Sequence, residues 1–263
     1  MLEGCRRTID QSWRIVGTGL SFVAFGLGGL LWRVGICPLM DLTVRDPQRR
    51  AELARESIGL SFRIFINVMR FLGVIRYRIS GLERLQRRGL LIIANHPTLI
   101  DTVFLMAFAG QTNCIINNSL WNNPFMRGPL RTAGYLRNNH GPELMADCMA
   151  ILQAGGNLII FPEGSRTPTD GQIRFKRGAA NLAVRGGFDV TPAIIRCTPA
   201  TLSKGGKWWQ VPATVACFDI QIQADIETHP IVSQQANPAM AARHLSDYLQ
   251  TYFIQESQVH ATT

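Results

Sequence analysis

The sequence lacks the clustered ligands of a metal centre and the glycine fingerprint of a dinucleotide-binding fold. Its six cysteines are scattered and never form CxxC, and only five histidines accompany them, so no zinc site is expected. Isolated cysteines in apolar surroundings are usually small core residues, and we interpret these as reduced thiols of a cytosolic compartment. No GxGxxG motif, internal repeat or low-complexity tract occurs. The residues therefore predict neither a metal nor a bound cofactor.

Acidic side chains are also scarce. Only 17% of the residues are charged, and 18 Asp and Glu face 27 Lys and Arg, which gives a net charge of +9. A surface of this sign favours anionic partners. Nucleic acid is disfavoured because the sequence contains no basic patch interleaved with aromatic residues and no recognition motif. Anionic lipid and phosphorylated small molecules remain as candidate partners.

A long uncharged run lies near the N-terminus. Ile15 to Trp32, "IVGTGLSFVAFGLGGLLW", contains no charged residue. This length just reaches a membrane span, and Trp13 and Trp32 stand where interfacial aromatic residues occur. A signal peptide is disfavoured because no A-x-A-like cleavage site follows. Arginines flank both ends, so the orientation of a span is only weakly specified. The many glycines suggest close helix packing or a bent, re-entrant segment that lies in the membrane.

A second apolar element follows at residues 51–72. Its polar residues recur at helical spacing and leave a wide apolar face, which consists of Ile58, Phe62, Phe65, Ile66, Met69 and Leu72. This pattern is typical of a helix lying in the membrane interface, and also of an amphipathic helix packed on a soluble domain. We predict that residues 1–73 form an N-terminal membrane-associated helical segment.

After Gly73, apolar runs alternate with helical stretches. The segment at 74–83 alternates apolar and polar residues as an edge strand does. Further strands are predicted at "LLIIAN", "TNCIIN", "NLIIFP", "DVTPAIIRC" and "ATVACFDIQI", and helices near 99–109, 124–133, 142–154, 177–186 and 237–253. We predict an α/β domain over 74–255, with a mixed, partly parallel sheet flanked by helices, and a polar tail at 256–263.

Two of these strands end in polar turns. In "LLIIANHPTLID", His96 and Asp101 follow the strand at 90–94, and in "NLIIFPEGSRT", Glu163, Gly164 and Arg166 follow the strand at 157–160. Thr98 and Asp101 have the spacing of a helix capping box, so the first turn has a structural interpretation. The second turn favours a catalytic one, because α/β folds build their sites at the carboxyl ends of strands. His96 is then a general base that Asp101 orients.

These segments together resemble the lysophosphatidate acyltransferase family. "NHPTLID" is similar to that family's N-H-x-x-x-x-D box, and "FPEGSRT" to its F-P-E-G-x-R-[ST] box, 67 residues further on. "LWNNPFMRGPLRTAGYLRNN" resembles the intervening block, with Pro124, Gly128, Gly134 and Arg137 at its recurrent positions, and "VTPAIIRC" resembles the last one. The similar region covers about residues 75–205. One departure is Asn117, where the family commonly has a lysine.

The resemblance implies a membrane-associated O-acyltransferase. The acyl donor would be acyl-coenzyme A or acyl carrier protein, and the acceptor 1-acyl-glycerol-3-phosphate, which gives phosphatidate. His96 and Asp101 would be catalytic. Glu163, Arg166, Arg137, Lys176 and Arg177 would contact the acceptor or its phosphate, and backbone amides near Gly164 the oxyanion. The same residues also allow a structural role for Arg166, in which it braces its loop against Glu163 or Asp170 and does not bind a phosphate.

Two alternatives to this function stay open. The acceptor could be another lyso-lipid, such as a lyso-ornithine lipid, or a product of a specialised polyene or fatty-acid pathway. The chain could also be a non-catalytic lipid-binding protein of the same fold. We expect a catalytic domain on the cytoplasmic face of a membrane, the inner membrane in a bacterium.

Overall fold

The computed structural model describes residues 2–123, 126–138, 142–168, 170–235 and 237–258. Its centre is a seven-stranded sheet. The strands are β1 (Ile75–Ser80), β2 (Leu91–Ala94), β3 (Thr112–Ile116), β4 (Leu136–Arg137), β5 (Asn157–Ile160), β6 (Val190–Thr198) and β7 (Ala216–Ile222). Their spatial order is β1-β7-β6-β2-β5-β3-β4.

The sheet is mixed and mostly parallel, as predicted. Only β6 and β7 pair antiparallel among the described strands, while β2 lies parallel to both β5 and β6. β2 is buried along its whole length, which agrees with its unbroken apolar sequence. β1 lies at one edge of the sheet, and this confirms the edge strand expected from its alternating pattern.

Helices cover both faces of the sheet. They are α1 (Leu2–Leu31), a π-helical turn (Trp32–Ile36), α2 (Cys37–Thr43), α3 (Pro47–Phe71), α4 (Asp101–Phe108), α5 (Asn118–Trp121), α6 (Arg127–Thr132), α7 (Pro142–Gln153), α8 (Gly178–Gly186), α9 (Thr228–Val232) and α10 (Pro238–Gln258), and a 3₁₀ turn spans Leu82–Gln86. One core lies between the sheet and α3 and α4, and a second between the sheet and α7, α8 and α10.

The N-terminal helices form an antiparallel pair that packs on the first core. Trp13 Nε1 donates to the Leu72 carbonyl at 2.9 Å, the rings of Phe25 and Phe65 are 5.2 Å apart, and Trp32 Nε1 donates to Ser61 Oγ at 3.2 Å. The uncharged run expected from residue 15 is thus the second half of a helix that begins at Leu2. Within the described residues, the segment Thr8–Thr43 is long and apolar enough to cross a membrane.

The apolar face of α3 faces the domain. Ile58, Ile66 and Met69 are buried. This face of α3 therefore belongs to an amphipathic helix packed on the domain, and the interpretation that it lies in the membrane interface is wrong. The physical reason is that α4 and β1 lie directly beneath α3 and cover that face. The exposed apolar residues of α3 lie on its other side and are Leu60, Ile64, Val68 and Phe71.

The C-terminal helix α10 closes the second core. Its inner face is fully buried at Leu245, Leu249 and Phe253. The helix continues through Gln258, which includes the first residues of the segment predicted as a polar tail. Residues 259–263 of that segment lie outside the described part of the chain.

Candidate active site

The candidate site lies where β2 and β5 end side by side. Ile93 pairs with Ile160 in parallel register, so the turns that carry His96 and Glu163 leave the same edge of the sheet. Asn95 fixes the exit from β2, because its side chain accepts from the Ile195 amide at 2.7 Å and donates to the Ile195 carbonyl at 2.8 Å. The buried Asn95 side chain thereby makes the pair of hydrogen bonds that a further backbone residue would make between β2 and β6. The sequence offers no periodic signal for this role.

His96 and Asp101 are in direct contact. His96 Nδ1 lies 2.8 Å from Asp101 Oδ2, and Asp101 is fully buried. Asp101 Oδ2 also accepts from the Thr98 amide at 2.6 Å, and Oδ1 accepts from Thr98 Oγ1 at 2.5 Å. The carboxylate thus makes one of the two hydrogen bonds of the expected capping box, from the Thr98 amide, although no described side chain caps α4 itself. The same carboxylate contacts the imidazole, so its structural contact does not exclude the catalytic interpretation.

The electrostatics of the pair set the histidine tautomer. Burial raises the pKa of Asp101, and the hydrogen bonds from His96 and Thr98 oppose that shift because they favour the carboxylate. A carboxylate can only accept, so it selects the imidazole with its proton on Nδ1 and leaves a lone pair on Nε2. No described residue hydrogen-bonds Nε2, and the ring stacks on Phe161 with centroids 4.3 Å apart. Nε2 of the half-buried imidazole can therefore accept a proton from a hydroxyl group.

Glu163 locks the two turns together. Its Oε1 accepts from the His96 amide and from Thr167 Oγ1, both at 2.9 Å, and the Thr167 amide donates to the His96 carbonyl at 2.7 Å. Oε2 is buried and has no hydrogen-bond partner among the described residues. Burial raises the pKa of Glu163, against the hydrogen bonds from His96 and Thr167. One oxygen holds the loop, and the other is left for a ligand.

Arg166 contacts neither Glu163 nor Asp170. Its NH1 atom donates to the carbonyls of Leu202 and Ser203, both at 2.9 Å. Arg166 therefore braces its loop, but not against Glu163 or Asp170 as expected. Its partners are backbone carbonyls of the irregular segment 199–215, which connects β6 to β7. The Leu202 carbonyl also accepts from the Leu99 amide at 3.1 Å. This segment joins both turns of the site, and sequence reasoning missed it because backbone carbonyls carry no residue signature.

Gly164 lies beneath Lys176. Gly164 has a φ of +70°, a backbone conformation that favours glycine. A Cβ atom there would also lie 2.8 Å from Lys176 Nζ, so this flexible side chain would have to move. Its amide donates to the Phe161 carbonyl at 3.0 Å, so this amide is already engaged and an oxyanion would need a neighbouring one. Lys176 and Arg177 are exposed at the start of α8.

Arg137 lies on the same edge of the sheet but is not brought to His96. It ends β4, two strands away from β5, which corresponds to about 10 Å at the usual strand spacing. Its Nε donates to Asn118 Oδ1 at 2.7 Å. Asn117 caps α5 by accepting from the Ser119 amide at 3.0 Å, a role that lysine cannot perform. Pro124 of the same block lies outside the described residues. In the described part of the chain, no group of three or more His, Cys, Asp or Glu side chains could hold a metal ion.

Known proteins resemble this chain in both sequence and fold. Residues 76–196 match the family model described as Acyltransferase. The 1-acyl-sn-glycerol-3-phosphate acyltransferase of Pseudomonas aeruginosa is 29% identical over 159 residues, which is 58% of this chain and 61% of that protein. The protein of the same name from Borreliella burgdorferi is 26% identical over 180 residues, 66% of this chain and 68% of that protein.

A solved structure shares the fold. The crystal structure of the 1-acyl-sn-glycerophosphate (LPA) acyltransferase PlsC from Thermotoga maritima superposes with a TM-score of 0.70 at 18% identity. The match covers 93% of this chain and 98% of that one. In sequence, the chain spans about three fifths of the length of the Pseudomonas aeruginosa relative and half of the Saccharomyces cerevisiae one.

Proposed function

We propose that this chain, whose residues 76–196 match the family model described as Acyltransferase, is a member of the lysophosphatidate acyltransferase family and acylates the free hydroxyl of a lyso-lipid. The donor is acyl-coenzyme A or acyl carrier protein, and the acceptor is 1-acyl-glycerol-3-phosphate, so the product is phosphatidate. The observation that carries the proposal is the 2.8 Å contact of His96 Nδ1 with the buried Asp101, which leaves Nε2 open. A non-catalytic lipid-binding protein would have no need for this pair.

The reaction needs no enzyme nucleophile, because a thioester is already activated. Nε2 of His96 takes the proton of the acceptor hydroxyl while its oxygen forms a bond to the thioester carbonyl carbon. The tetrahedral intermediate collapses, the C–S bond breaks, and the thiolate takes the proton back from the imidazolium. Asp101 holds the ring and stabilises its positive charge throughout.

Acceptor binding involves the second turn. We assign Glu163 Oε2 to an acceptor hydroxyl, because this buried oxygen has no partner among the described residues. Arg166, held by the Leu202 and Ser203 carbonyls, presents its remaining nitrogens to the phosphate, with Lys176 and Arg177 as further cations. Arg137 lies too far along the sheet edge to share one phosphate with them, so its contact is with another part of a substrate.

A second acceptor class is favoured by Asn117. Where relatives commonly carry a lysine, this chain has a residue whose side chain caps α5. An acceptor without a phosphate, such as a lyso-ornithine lipid, would not need that cation. This alternative keeps the chemistry of His96 and changes only the acceptor.

Membrane association is supported by the outer face of α1. Its exposed apolar side chains include Ile9, Trp13, Val16, Leu20, Val23, Leu27 and Leu30. These positions are spaced by alternating steps of four and three residues, so they form one stripe along the helix. The opposite side of α1 is tied to the domain, since Arg14 donates to the carbonyls of Pro212 and Ala213. We propose that α1 lies in the membrane interface, with the site on the cytoplasmic side where soluble thioester donors are available.

The proposal is tested with purified protein in mixed-lipid vesicles. Each donor, acyl-coenzyme A or acyl carrier protein, is combined with phosphate-bearing and phosphate-free lyso-lipids, and the products are identified by mass spectrometry. Phosphatidate formed from 1-acyl-glycerol-3-phosphate supports the main proposal. Product only from a phosphate-free acceptor supports the second, and no acylated product with any acceptor contradicts both.

A further inference from the structure

The segment between β6 and β7 carries two adjacent exposed tryptophans at the tip of a turn. The Gln210 amide donates to the Lys207 carbonyl at 3.0 Å, and Gln210 Oε1 accepts from the Lys207 amide at 2.8 Å. Trp208 and Trp209 occupy the two central positions of this turn, with 44% and 47% of each residue exposed. Their rings pack edge to face with centroids 5.5 Å apart. Water-exposed paired indoles are unfavourable and mark an interaction site.

This turn is fixed to α1 beside the exposed stripe. Trp208 packs on Phe22 at 6.2 Å between centroids, and its ring lies 3.3 Å from where a Cβ on Gly19 would stand. Gly19 is three residues from Val16 and four from Val23, both exposed members of the stripe, so it borders the stripe on the helix surface. Gln11 also holds the segment by donating to the Val211 carbonyl at 2.8 Å. The indoles and the stripe therefore form one continuous apolar surface.

Positive charge borders these indoles. Lys207 Nζ lies 5.3 Å from the centre of the Trp209 ring, and Lys204 Nζ donates to Ser165 Oγ at 3.0 Å. The whole chain has only three lysines, Lys176, Lys204 and Lys207. Two of them precede the indoles in the same turn, and the third lies over Gly164. Amphipathic indoles with adjacent ammonium groups fit the boundary between acyl chains and anionic headgroups.

We infer that residues 203–211, here termed the indole turn, dock on an anionic phospholipid surface, with Trp208 and Trp209 at the level of the first acyl carbons and Lys207 among the phosphates. This inference rests on the proposed membrane location of α1 and extends it to a second element. Because Leu202 and Ser203 hold Arg166 and Lys204 holds Ser165, a docked indole turn sets the acceptor-binding loop beside the leaflet that contains the lyso-lipid.

Fluorescence quenching tests the docking directly. Full-length protein and a Trp208→Phe/Trp209→Phe variant are bound to phosphatidylglycerol vesicles with or without bromine near the headgroup end of the acyl chains. The emission difference between the two proteins belongs to the two indoles. We expect bromine to lower this difference, because interfacial tryptophan lies at the level of the headgroups and first acyl carbons, and to lower it less in phosphatidylcholine vesicles. Unquenched indoles, or equal quenching in both lipids, would overturn the inference.

Vesicle affinity gives a second readout with a matched control. Lys207→Gln should weaken binding to phosphatidylglycerol vesicles about fivefold, the usual effect of one interfacial cation. Met240→Ser/Tyr248→Ser changes two exposed residues of α10 across the sheet, and should leave affinity unchanged. Indoles that respond to acyl carrier protein but not to vesicles would assign the surface to an acidic protein and overturn the inference. Quenching without acyl transfer would contradict only the proposed function, and acyl transfer with unquenched indoles only the docking.

Discussion

Asp101 Oδ2 lies 2.6 Å from the Thr98 amide and 2.8 Å from His96 Nδ1, so one buried oxygen both fixes the turn that precedes α4 and contacts the imidazole. The His96 ring is therefore rigidly positioned, because it is held by Asp101, which is itself fixed as the first residue of α4. An imidazole held in this way would be preorganised for the proposed role as a base and would not need to be oriented again in each turnover.

Asp101→Asn tests the orienting role. An asparagine amide lacks the negative charge that stabilises the imidazolium, and where its NH2 group faces Nδ1 the wrong tautomer is favoured. We expect kcat to fall by about three to four orders of magnitude, as in related histidine–carboxylate pairs, with KM for the acceptor nearly unchanged. Thr98→Val is the matched control, since it removes the 2.5 Å contact to Oδ1 and keeps the contact to His96. A loss under Asp101→Asn no larger than that of Thr98→Val would refute the assignment.

Glu163 makes stability depend on pH in a defined direction. Burial raises its pKa in the folded protein, so the folded state binds this proton more tightly than the unfolded chain does. Its contribution to stability is therefore complete below the unfolded pKa of about 4.3 and is lost as pH rises through the raised folded value. Glu163→Gln should remove this dependence. In thermal melts between pH 4 and pH 7, the melting temperature of the variant should rise relative to that of the native protein as pH increases. Melting temperatures that change in parallel would contradict this assignment.

Arg166→Ala tests the phosphate assignment. Losing a charge-assisted contact should lower kcat/KM for a phosphate-bearing acceptor by roughly 2–4 kcal/mol in transition-state binding. Arg166→Lys should recover only part of this, because lysine cannot reproduce the planar fork. Phosphate-free lyso-lipids serve as the comparison. Equal losses on both acceptor classes would show that Arg166 only braces the Leu202–Ser203 carbonyls.

Leu20→Gln/Leu27→Gln tests the stripe on α1. Half or more of each residue is exposed, 50% of Leu20 and 61% of Leu27, so the free energy of unfolding in detergent should change little. Vesicle binding should weaken about tenfold or more, because the buried apolar area at the interface is lost. Met240→Gln, on α10, is the control for a polar substitution at an exposed site. Unchanged sedimentation with vesicles would exclude the stripe as the anchor.

Strand and site positions were predictable where local pattern and tertiary role coincide. The apolar runs before His96 and Glu163 became β2 and β5, and parallel pairing brought their turns together. α3 begins earlier than its apolar pattern does, because Asp46 caps it by accepting from the Gln48 and Arg49 amides. Whether the apolar face of α3 packs on the domain or faces outward was not predictable, since periodicity indicates an apolar face and does not identify what it contacts. The 199–215 segment was missed because its contacts to Arg166 and Leu99 come from backbone carbonyls.

The central claim is that Nε2 of His96 removes the proton of a lyso-lipid hydroxyl. The most direct measurement compares the native protein with His96→Ala, both reconstituted with 1-acyl-glycerol-3-phosphate and a thioester donor, and follows phosphatidate by mass spectrometry. The folded state of the variant is checked by its melting temperature. We expect steady phosphatidate formation by the native protein and none above the uncatalysed rate by a folded His96→Ala variant. Near-native turnover by that variant would contradict it.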